Sequence, residues 1–298
     1  MKIFDCTTFY DEELILDLRF NMLNKYVDKF IICEAKFSHS GRRKKLNFDI
    51  NKFSKFKDKI VYIVLEDEPE NLIYEDPKKK IESSLQWRLN SVKRISFQRN
   101  KLLEAVNEIA QPNDYVLYSD NDEIPDLSLF NPNKQKNKII IFEQDLFYYK
   151  FNLLCNRIKW YGTRAIKKKN LINFEWLRQI KPKKYPFYRV DTFFKKDRYM
   201  DVNIIKNGGW HFTRIISPEK IHNKELDTEH HDEYRASKKN PEKIRDLIKR
   251  RVIDHDHLAD SREYKFGKEF PLIQLDISKM PKYIREKQNE YSGWLDLN

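Results

Sequence analysis

The chain of 298 residues has little glycine and little cysteine, with six and three residues respectively. Cys6, Cys33 and Cys155 are odd in number and far apart, and they are not spaced like the ligands of a metal knuckle. Cys6 and Cys33 fall in apolar runs, which favours buried free thiols in a reducing compartment. We therefore expect a cytoplasmic protein.

Long apolar runs are absent as well. No stretch of about 18 apolar residues occurs, which excludes an ordinary membrane-spanning helix. The first residues lack the apolar stretch of roughly 7–15 residues that a signal peptide needs, and they turn acidic by Asp11. We expect no transmembrane segment, although a basic face could still contact a membrane surface.

Positive charge is in excess, with 58 Lys and Arg against 46 Asp and Glu. Such a balance attracts nucleic acid, membrane headgroups or phosphorylated substrates, and it does not choose between them. Abundant Lys, Ile and Asn with scarce Gly and Ala are typical of an AT-rich genome, so part of this charge is background. The basic clusters at 41–45 and 167–169 lack an aromatic RNA-binding signature, and we expect no nucleic-acid partner.

Short apolar runs alternate with helical patterns through the first two thirds of the chain. We predict two helices, over Glu12–Tyr26 and about Ile81–Ile109. The predicted strands are Lys2–Phe9, Lys29–Ala35, Ile60–Leu65, Tyr115–Ser119, Lys138–Phe142 and Phe147–Leu153. This order predicts an α/β, Rossmann-type fold with a mainly parallel central sheet flanked by helices. Ligands of such sheets bind beyond the carboxyl ends of the strands.

The last third has a different pattern. It predicts short strands over Arg189–Phe194 and Trp210–Ile216, and helices over Pro218–Arg235 and Pro241–Asp256. We expect one domain over residues 1–216 and a C-terminal helical extension, 217–298, packed on it. The alternating Asp and His residues of Asp254–His257 are interpreted as the charged end of a helix, where they would not share a face.

One apolar strand leads directly into carboxylates. In Tyr115–Pro125 the strand is followed by Asp120 and Asp122, separated by a single residue. In a turn, both can point towards one ligand site. Paired carboxylates suit a hard divalent cation such as Mn²⁺ or Mg²⁺, which can bridge the phosphates of a nucleoside diphosphate. The alternative is a solvated acidic turn.

A second segment, Gly208–Thr213, places His211 between Trp210 and Phe212 after two glycines. His211 could be a third metal ligand or a phosphate-binding group. The alternative is a core histidine in an aromatic cluster.

Four blocks of the sequence together resemble glycosyltransferase family 17. They are Phe9–Leu23, Val27–Ala35 with the following Ser38–Gly41, Tyr118–Pro125 and Gly208–Thr213. The resemblance implies a GT-A-like fold, a nucleotide-sugar donor, a glycan or glycoconjugate acceptor and inversion at the anomeric carbon. It also implies that Asp120 and Asp122 form the family's DxD motif. A UDP-sugar is the favoured donor, and GlcNAc is one candidate sugar.

Other residues are candidates for the same site. Glu34 ends a strand and could face the base or ribose of the nucleotide, or it could be a salt-bridged structural residue. Arg99 on the long helix could bind a diphosphate. Inversion needs a base that takes a proton from the acceptor hydroxyl, and the candidates are Glu143, Asp145 and Glu175.

Two other functions remain open at this point. A nucleic-acid or anionic-surface binding protein would rest on the charge alone, and its binding would be salt-sensitive and indifferent to Asp120 and Asp122. A metal-dependent phosphohydrolase would use the same acidic cluster and release phosphate or nucleotide without sugar transfer.

Overall fold

The computed structural model describes residues 1–80, 82–183, 201–258 and 266–297. Its strands are β1 Ile3–Phe9, β2 Lys29–Ala35, β3 Ile60–Leu65, β4 Tyr115–Tyr118, β5 Glu123–Pro125, β6 Ile139–Tyr148, β7 Leu153–Lys167, β8 Val202–Ile205, β9 Gly209–Thr213, β10 Val252–His255, β11 Phe266–Pro271 and β12 Ile273–Gln274. Its α-helices are α1 Glu13–Leu23, α2 Ser84–Ile109, α3 Phe174–Gln179, α4 Pro218–Glu225, α5 His231–Ala236, α6 Pro241–Lys249 and α7 Lys282–Glu286. The predicted strand at 189–194 lies outside the described residues.

The central sheet begins with a parallel half, in the order β3, β2, β1, β4. β7 then runs antiparallel to both β4 and β6, while β8 and β9 pair parallel with β6. The short strand β5 completes this edge by pairing antiparallel with β9. The prediction of a GT-A-like α/β fold with a mainly parallel sheet is therefore confirmed.

Apolar side chains cover both faces of the sheet. On one face, Leu16 and Phe20 of α1 pack with Phe30 of β2. On the other face, Leu102 of α2 packs with Phe4 of β1 and with neighbouring strand residues. Because parallel strands are buried on both faces, these strands are continuous apolar runs rather than alternating ones. The sheet thereby holds its strand ends in fixed positions.

The long helix α2 begins at a capping box. The Ser83 hydroxyl accepts a hydrogen bond from the backbone N–H of Gln86, and the Gln86 side chain accepts one from the backbone N–H of Ser83. This arrangement satisfies two backbone groups of the first turn. The helix then runs to Ile109 and carries Gln98 and Arg99 past the end of the parallel strands.

The C-terminal extension is helical over much of its length and also contains short strands. The segment after residue 216 contains α4, α5, α6 and α7, but also the β10–β11 hairpin and β12, which adds to the central sheet through β7. Asp254 and His255 lie in β10, not at a helix end, because α6 ends at Lys249 and Arg251 adopts a positive φ of 55°. In the described parts of the chain, no helix is long and apolar enough to span a membrane.

Candidate active site

A cavity of about 300 Å³ lies where the parallel strands β1, β2 and β4 end, and we call it the main cavity. This is the edge at which ligands of α/β sheets bind. Its lining includes Tyr10 after β1, His39 after β2 and Asp122 after β4. The other lining residues are Thr8, Phe9, Glu12, Phe37, Lys44, Ile95, Gln98, Arg99, Asp120, Asn121, His211, Lys224, Asp227, Thr228 and Glu229.

Residues 119–123 form a tight turn between β4 and β5, which we call the Asp turn. The backbone N–H of Glu123 donates to the carbonyl of Asp120 at 3.0 Å, and the backbone N–H of Asp120 donates to the Glu123 carboxylate at 3.1 Å. The turn follows directly from the sequence, since the apolar strand stops at Tyr118 and polar residues follow. Asp120 and Asp122 both reach the lining of the main cavity, as predicted from their spacing.

Arg19 of α1 is buried beside the Asp turn and binds its residues through hydrogen bonds. Its guanidinium, which is 0% exposed, makes a bidentate pair with Asp5, with N···O distances of 2.6 and 2.7 Å. The same group donates to the Ser119 hydroxyl at 2.6 Å and to the Glu123 carbonyl at 2.8 Å. Arg19 therefore joins β1 to the turn. The sequence contained it in the first family block, but nothing local indicated this role.

Asp120 is held by two arginines. Its carboxylate accepts hydrogen bonds from Arg178 at 2.9 Å, from Tyr118 at 3.0 Å and from Arg99 at 3.4 Å. Burial alone would raise the pKa of Asp120, but the guanidinium groups of Arg178 and Arg99 outweigh burial and hold that pKa well below its usual value. Asp120 is thus a fixed anion. Arg178, on α3, was not among the predicted residues.

Asp122 pairs with His211. The β5–β9 register sets Glu123 opposite His211, and this brings the His211 Nε2 atom to 3.3 Å from the Asp122 carboxylate. Burial acts against both charges, yet their attraction lowers the pKa of Asp122 and raises the pKa of His211. The structure therefore brings these two candidate metal ligands together.

The fit of this site to a divalent cation can be judged from the donor atoms. Among the described residues, no group of three or more His, Cys, Asp or Glu side chains is arranged to hold a metal ion. Both oxygens of Asp120 are engaged by arginines or by Tyr118. Asp122 and His211 remain as a carboxylate and an imidazole at the cavity wall. The Nδ1 atom of His211 is buried and has no hydrogen-bond partner in the part of the chain that the structure describes. These two residues fit as a partial ligand set.

Glu34 has a structural environment. Its carboxylate, 0% exposed, pairs with Lys44 and accepts hydrogen bonds from the backbone N–H groups of Asn47 and Phe48 and from the Tyr62 hydroxyl. Glu34 is not among the residues that line the main cavity. The structure therefore supports the salt-bridged alternative, in which Glu34 orders the chain after β2.

The three predicted base candidates do not reach the main cavity in the described structure. Glu143 accepts a hydrogen bond from Tyr161 at 3.2 Å, and Asp145 pairs with Lys159 on the neighbouring strand. Glu175 pairs with Arg99 at 3.0 Å and thereby fixes that arginine. The reason is geometric, because Glu143 and Asp145 lie within β6 and not beyond its end.

A second part of the lining comes from residues 224–229, at the end of α4 and the start of the loop to α5, which we call the 224–229 segment. Lys224 pairs with Glu12, and Asp227 pairs with Arg42 and accepts from the Tyr10 hydroxyl. Within the described chain, Glu229 has neither a hydrogen bond nor an ion pair. Sequence reasoning missed this segment, because no local pattern distinguishes it from a solvated helix end.

His39 is a further residue that lines the main cavity, and no role was predicted for it from the sequence. Burial lowers the pKa of His39 to about 4, and the Arg99 guanidinium acts in the same direction. The imidazole is therefore neutral at physiological pH. It lies in the Ser38–Gly41 segment of the second sequence block.

The family model of glycosyltransferase family 17 matches residues 1–181. The chain belongs to glycosyltransferase family 17. The match contains the first three sequence blocks with Arg19, the Asp turn and Arg99, and it identifies the chain as a glycosyltransferase. The Gly208–Thr213 block with His211, like the 224–229 segment, lies beyond the matched residues.

Solved structures that match part of this family 17 glycosyltransferase share little sequence with it. HddC from Yersinia pseudotuberculosis is 9% identical with a TM-score of 0.33, covering 70% of this chain and 92% of that one. The inositol-1-phosphate CTP transferase from T. maritima is 12% identical with a TM-score of 0.32, covering 70% and 86%. No curated protein matches the chain.

Proposed function

We propose that this family 17 enzyme transfers a sugar from a nucleoside diphosphate sugar to a hydroxyl group of a glycan acceptor. We further propose UDP as the nucleotide, GlcNAc as the sugar, inversion at the anomeric carbon and dependence on Mn²⁺ or Mg²⁺. One observation carries the proposal. Asp122 and His211 meet in a cavity that is also lined by Arg99, Lys44 and Lys224, so that ligands for a cation and groups for a diphosphate share one space.

Asp122 and His211 would hold the divalent cation. When bound, such a cation neutralises the diphosphate and offsets the charge that develops as the diphosphate leaves. A carboxylate and an imidazole are suitable ligands for Mn²⁺, and the small ligand number leaves positions for phosphate oxygens. Asp120, held by Arg99 and Arg178, would keep its fixed place beside the donor.

The cationic side chains of the main cavity would bind the diphosphate. Each is held by a carboxylate: Arg99 by Glu175, Lys44 by Glu34 and Lys224 by Glu12. Groups fixed in this way need little rearrangement when the donor binds or when charge develops on the leaving group. Glu34 was predicted to face the nucleotide and Glu175 to be a base candidate. Both would instead position the cations that bind the diphosphate.

Glu229 would act as the general base. Inversion requires a group that accepts the proton of the acceptor hydroxyl as that oxygen attacks the anomeric carbon. Five carboxylates line the main cavity, and those of Glu12, Asp120, Asp122 and Asp227 are each paired with a cationic side chain or His211. The partly buried Glu229 carboxylate carries no such pair in the described chain, so its oxygens are available to a substrate proton.

The test of the donor and metal sites is a thermal-shift panel of UDP and GDP with and without Mn²⁺. A ligand that binds only the folded chain raises its melting temperature. We expect a shift with UDP that requires Mn²⁺ and that is lost in Asp122→Asn. The matched control is Asp145→Asn, which makes the same change outside the cavity and should keep the shift.

Two results would contradict the proposal. A UDP shift that persists in Asp122→Asn would remove Asp122 from the metal site. An absence of any nucleotide shift in a well-folded sample would remove the nucleotide donor.

A further inference from the structure

A second cavity of about 370 Å³ adjoins the main cavity. We call it the Trp87 cavity. Its lining includes Trp87 of α2, Arg235 of α5 and the polar residues Ser40 and Arg42. Asp227 lines both cavities, so the two spaces meet at this residue.

The shared wall is built by two loops that are bonded to each other. The backbone N–H of Ser40 donates to the Asp227 carbonyl at 3.2 Å, and the Asp227 carboxylate accepts from Arg42 and from the Ser40 hydroxyl. Gly41 turns this loop with a φ of 89°, and a Cβ atom there would lie 2.5 Å from the Arg94 guanidinium. The loop therefore has a defined shape, and it presents bare backbone to the Trp87 cavity at Gly41.

One side of the Trp87 cavity has the character of a sugar-binding surface. Trp87 is partly exposed. The guanidinium carbon of Arg235 lies 5.4 Å from the centroid of its ring, and the centroid of the His231 ring lies 5.2 Å from it, so the exposed part of the indole is left for a ligand. The apolar face of a pyranose ring can pack against an indole, while the sugar hydroxyls exchange hydrogen bonds with side chains such as those of Ser40 and Asn223. The chemistry of the lining thus suits a saccharide better than a flat apolar ligand.

The charges of the lining are not balanced. Arg88, the residue after Trp87, pairs with both Asp232 and Glu233. Arg235 itself has no carboxylate partner among the described residues. Arg42 pairs with Asp227 but keeps 64% of its side chain exposed. A guanidinium without a counter-ion is a ready partner for a carboxylate or a phosphate.

We propose that the Trp87 cavity is the acceptor subsite and that the acceptor sugar bound there carries a negative charge, on a carboxylate or a phosphate group. This inference rests on the proposed function, since it names the second substrate of the same enzyme. The sugar ring packs against the exposed part of Trp87, its anionic group pairs with Arg235, and its reacting hydroxyl is directed towards Asp227. Glu229 lies two residues from Asp227 on the 224–229 segment and lines the main cavity.

The test measures the binding of three monosaccharides in the absence of nucleotide, by ligand-observed NMR titration. The probes are glucose, glucuronate and glucose 6-phosphate, which share a ring and differ in charge. We expect the acidic sugars to bind about tenfold more tightly than glucose, because a charge-assisted bond to Arg235 adds to ring packing. The carboxylate and phosphate probes distinguish the two sources of charge.

Three variants locate the binding. Arg235→Gln should remove the preference for acidic sugars while glucose binding stays the same, and Trp87→Ala should weaken the binding of all three probes. The matched control is Arg285→Gln, which makes the same charge change at an exposed position of α7 and should keep the preference. Melting temperatures close to that of the wild type establish that each variant is folded.

Equal binding of glucose and the acidic sugars would overturn the inference, as would no binding of any probe or a preference that survives in Arg235→Gln. This experiment does not use nucleotide, so it fails independently of the donor test. Acidic sugars that bind to a chain that shows no UDP shift would leave the Trp87 site standing and remove the transferase proposal.

Discussion

The Asp turn and the 224–229 segment both line the main cavity, but they are built in opposite ways. In the Asp turn the charged groups are paired, and Arg19 and Arg178 hold it from two other elements. The 224–229 segment lies beyond the family match and carries Glu229, whose carboxylate has no ion pair with any residue that the structure describes. The difference teaches that ion pairs fix every charged group of the Asp turn, whereas the 224–229 segment combines the paired Lys224 and Asp227 with one carboxylate, Glu229, that has no ion pair in the described chain.

Replacement of Glu229 by Gln is the sharpest way to break this comparison. Because the amide cannot accept the acceptor proton, we expect kcat to fall by about 10²–10⁴-fold. The melting temperature and the UDP shift should not change, since Glu229 holds nothing in place. The measurement is the rate at which UDP is released from UDP-GlcNAc when water is the acceptor.

Glu143→Gln is the control for this experiment, because it removes a carboxylate that lies outside the main cavity. It should retain the wild-type rate, and Glu229→Asp should recover part of the activity. Full activity in Glu229→Gln would show that another group takes the proton.

Replacement of Arg19 by Met tests the opposite property of the Asp turn. The buried carboxylate of Asp5 would lose its partner, and we expect the free energy of unfolding to fall by about 3–5 kcal/mol. Urea unfolding followed by circular dichroism gives this quantity directly.

Arg245→Met serves as the control for Arg19, because it breaks an exposed ion pair with Glu219 and should leave the urea midpoint nearly unchanged. A loss of stability of similar size in both variants would mean that the buried contacts of Arg19 contribute no more than an exposed ion pair.

Replacement of His39 by Gln tests a lining residue that follows β2 and belongs to neither the Asp turn nor the 224–229 segment. The pKa of His39 is about 4 in the folded chain and 6.5 in the unfolded chain. Between these values the unfolded chain binds more protons, so the free energy of unfolding of the wild type falls as the pH falls. The contribution of His39 amounts to as much as about 3 kcal/mol between pH 6.5 and 4.

His39→Gln has no group that titrates at this position, so its stability should fall less steeply over the same pH window. Urea unfolding at about pH 7 and about pH 4.5 measures both slopes. Parallel slopes for the two proteins would mean that His39 is not held neutral by burial.

The elements that were predicted correctly are those that a short, continuous stretch of sequence specifies by itself. Strands β1 to β4 are continuous apolar segments, and α2 is a long helix whose predicted range ends at Ile109, as in the structure. The Asp turn was predicted for the same reason, because a buried strand ends where its carboxylates begin. The carboxyl ends of parallel strands lie together, and this placed Asp120 and Asp122 at the main cavity.

The remaining features depend on contacts between distant parts of the chain. The predicted strand at Phe147–Leu153 is wrong because β6 ends at Tyr148 and Tyr149 adopts a φ of 64°, although an aromatic run looks the same in a strand and in a turn. Arg178 contacts Glu123 across 55 residues of sequence. In a chain with 58 basic residues, no local signal shows which arginine will do so.

The position of Asp227, which lines both cavities, has a practical consequence for inhibitor design. Two weak ligands, one held on each side of Asp227, can be joined by a short linker that passes beside this side chain. The linker turns the second binding event into an intramolecular one, at an effective concentration of the order of millimolar. Under the two proposals above, a nucleotide joined to an acidic sugar would bind more tightly than either fragment. The linker length that works best would measure the distance between the two bound ligands.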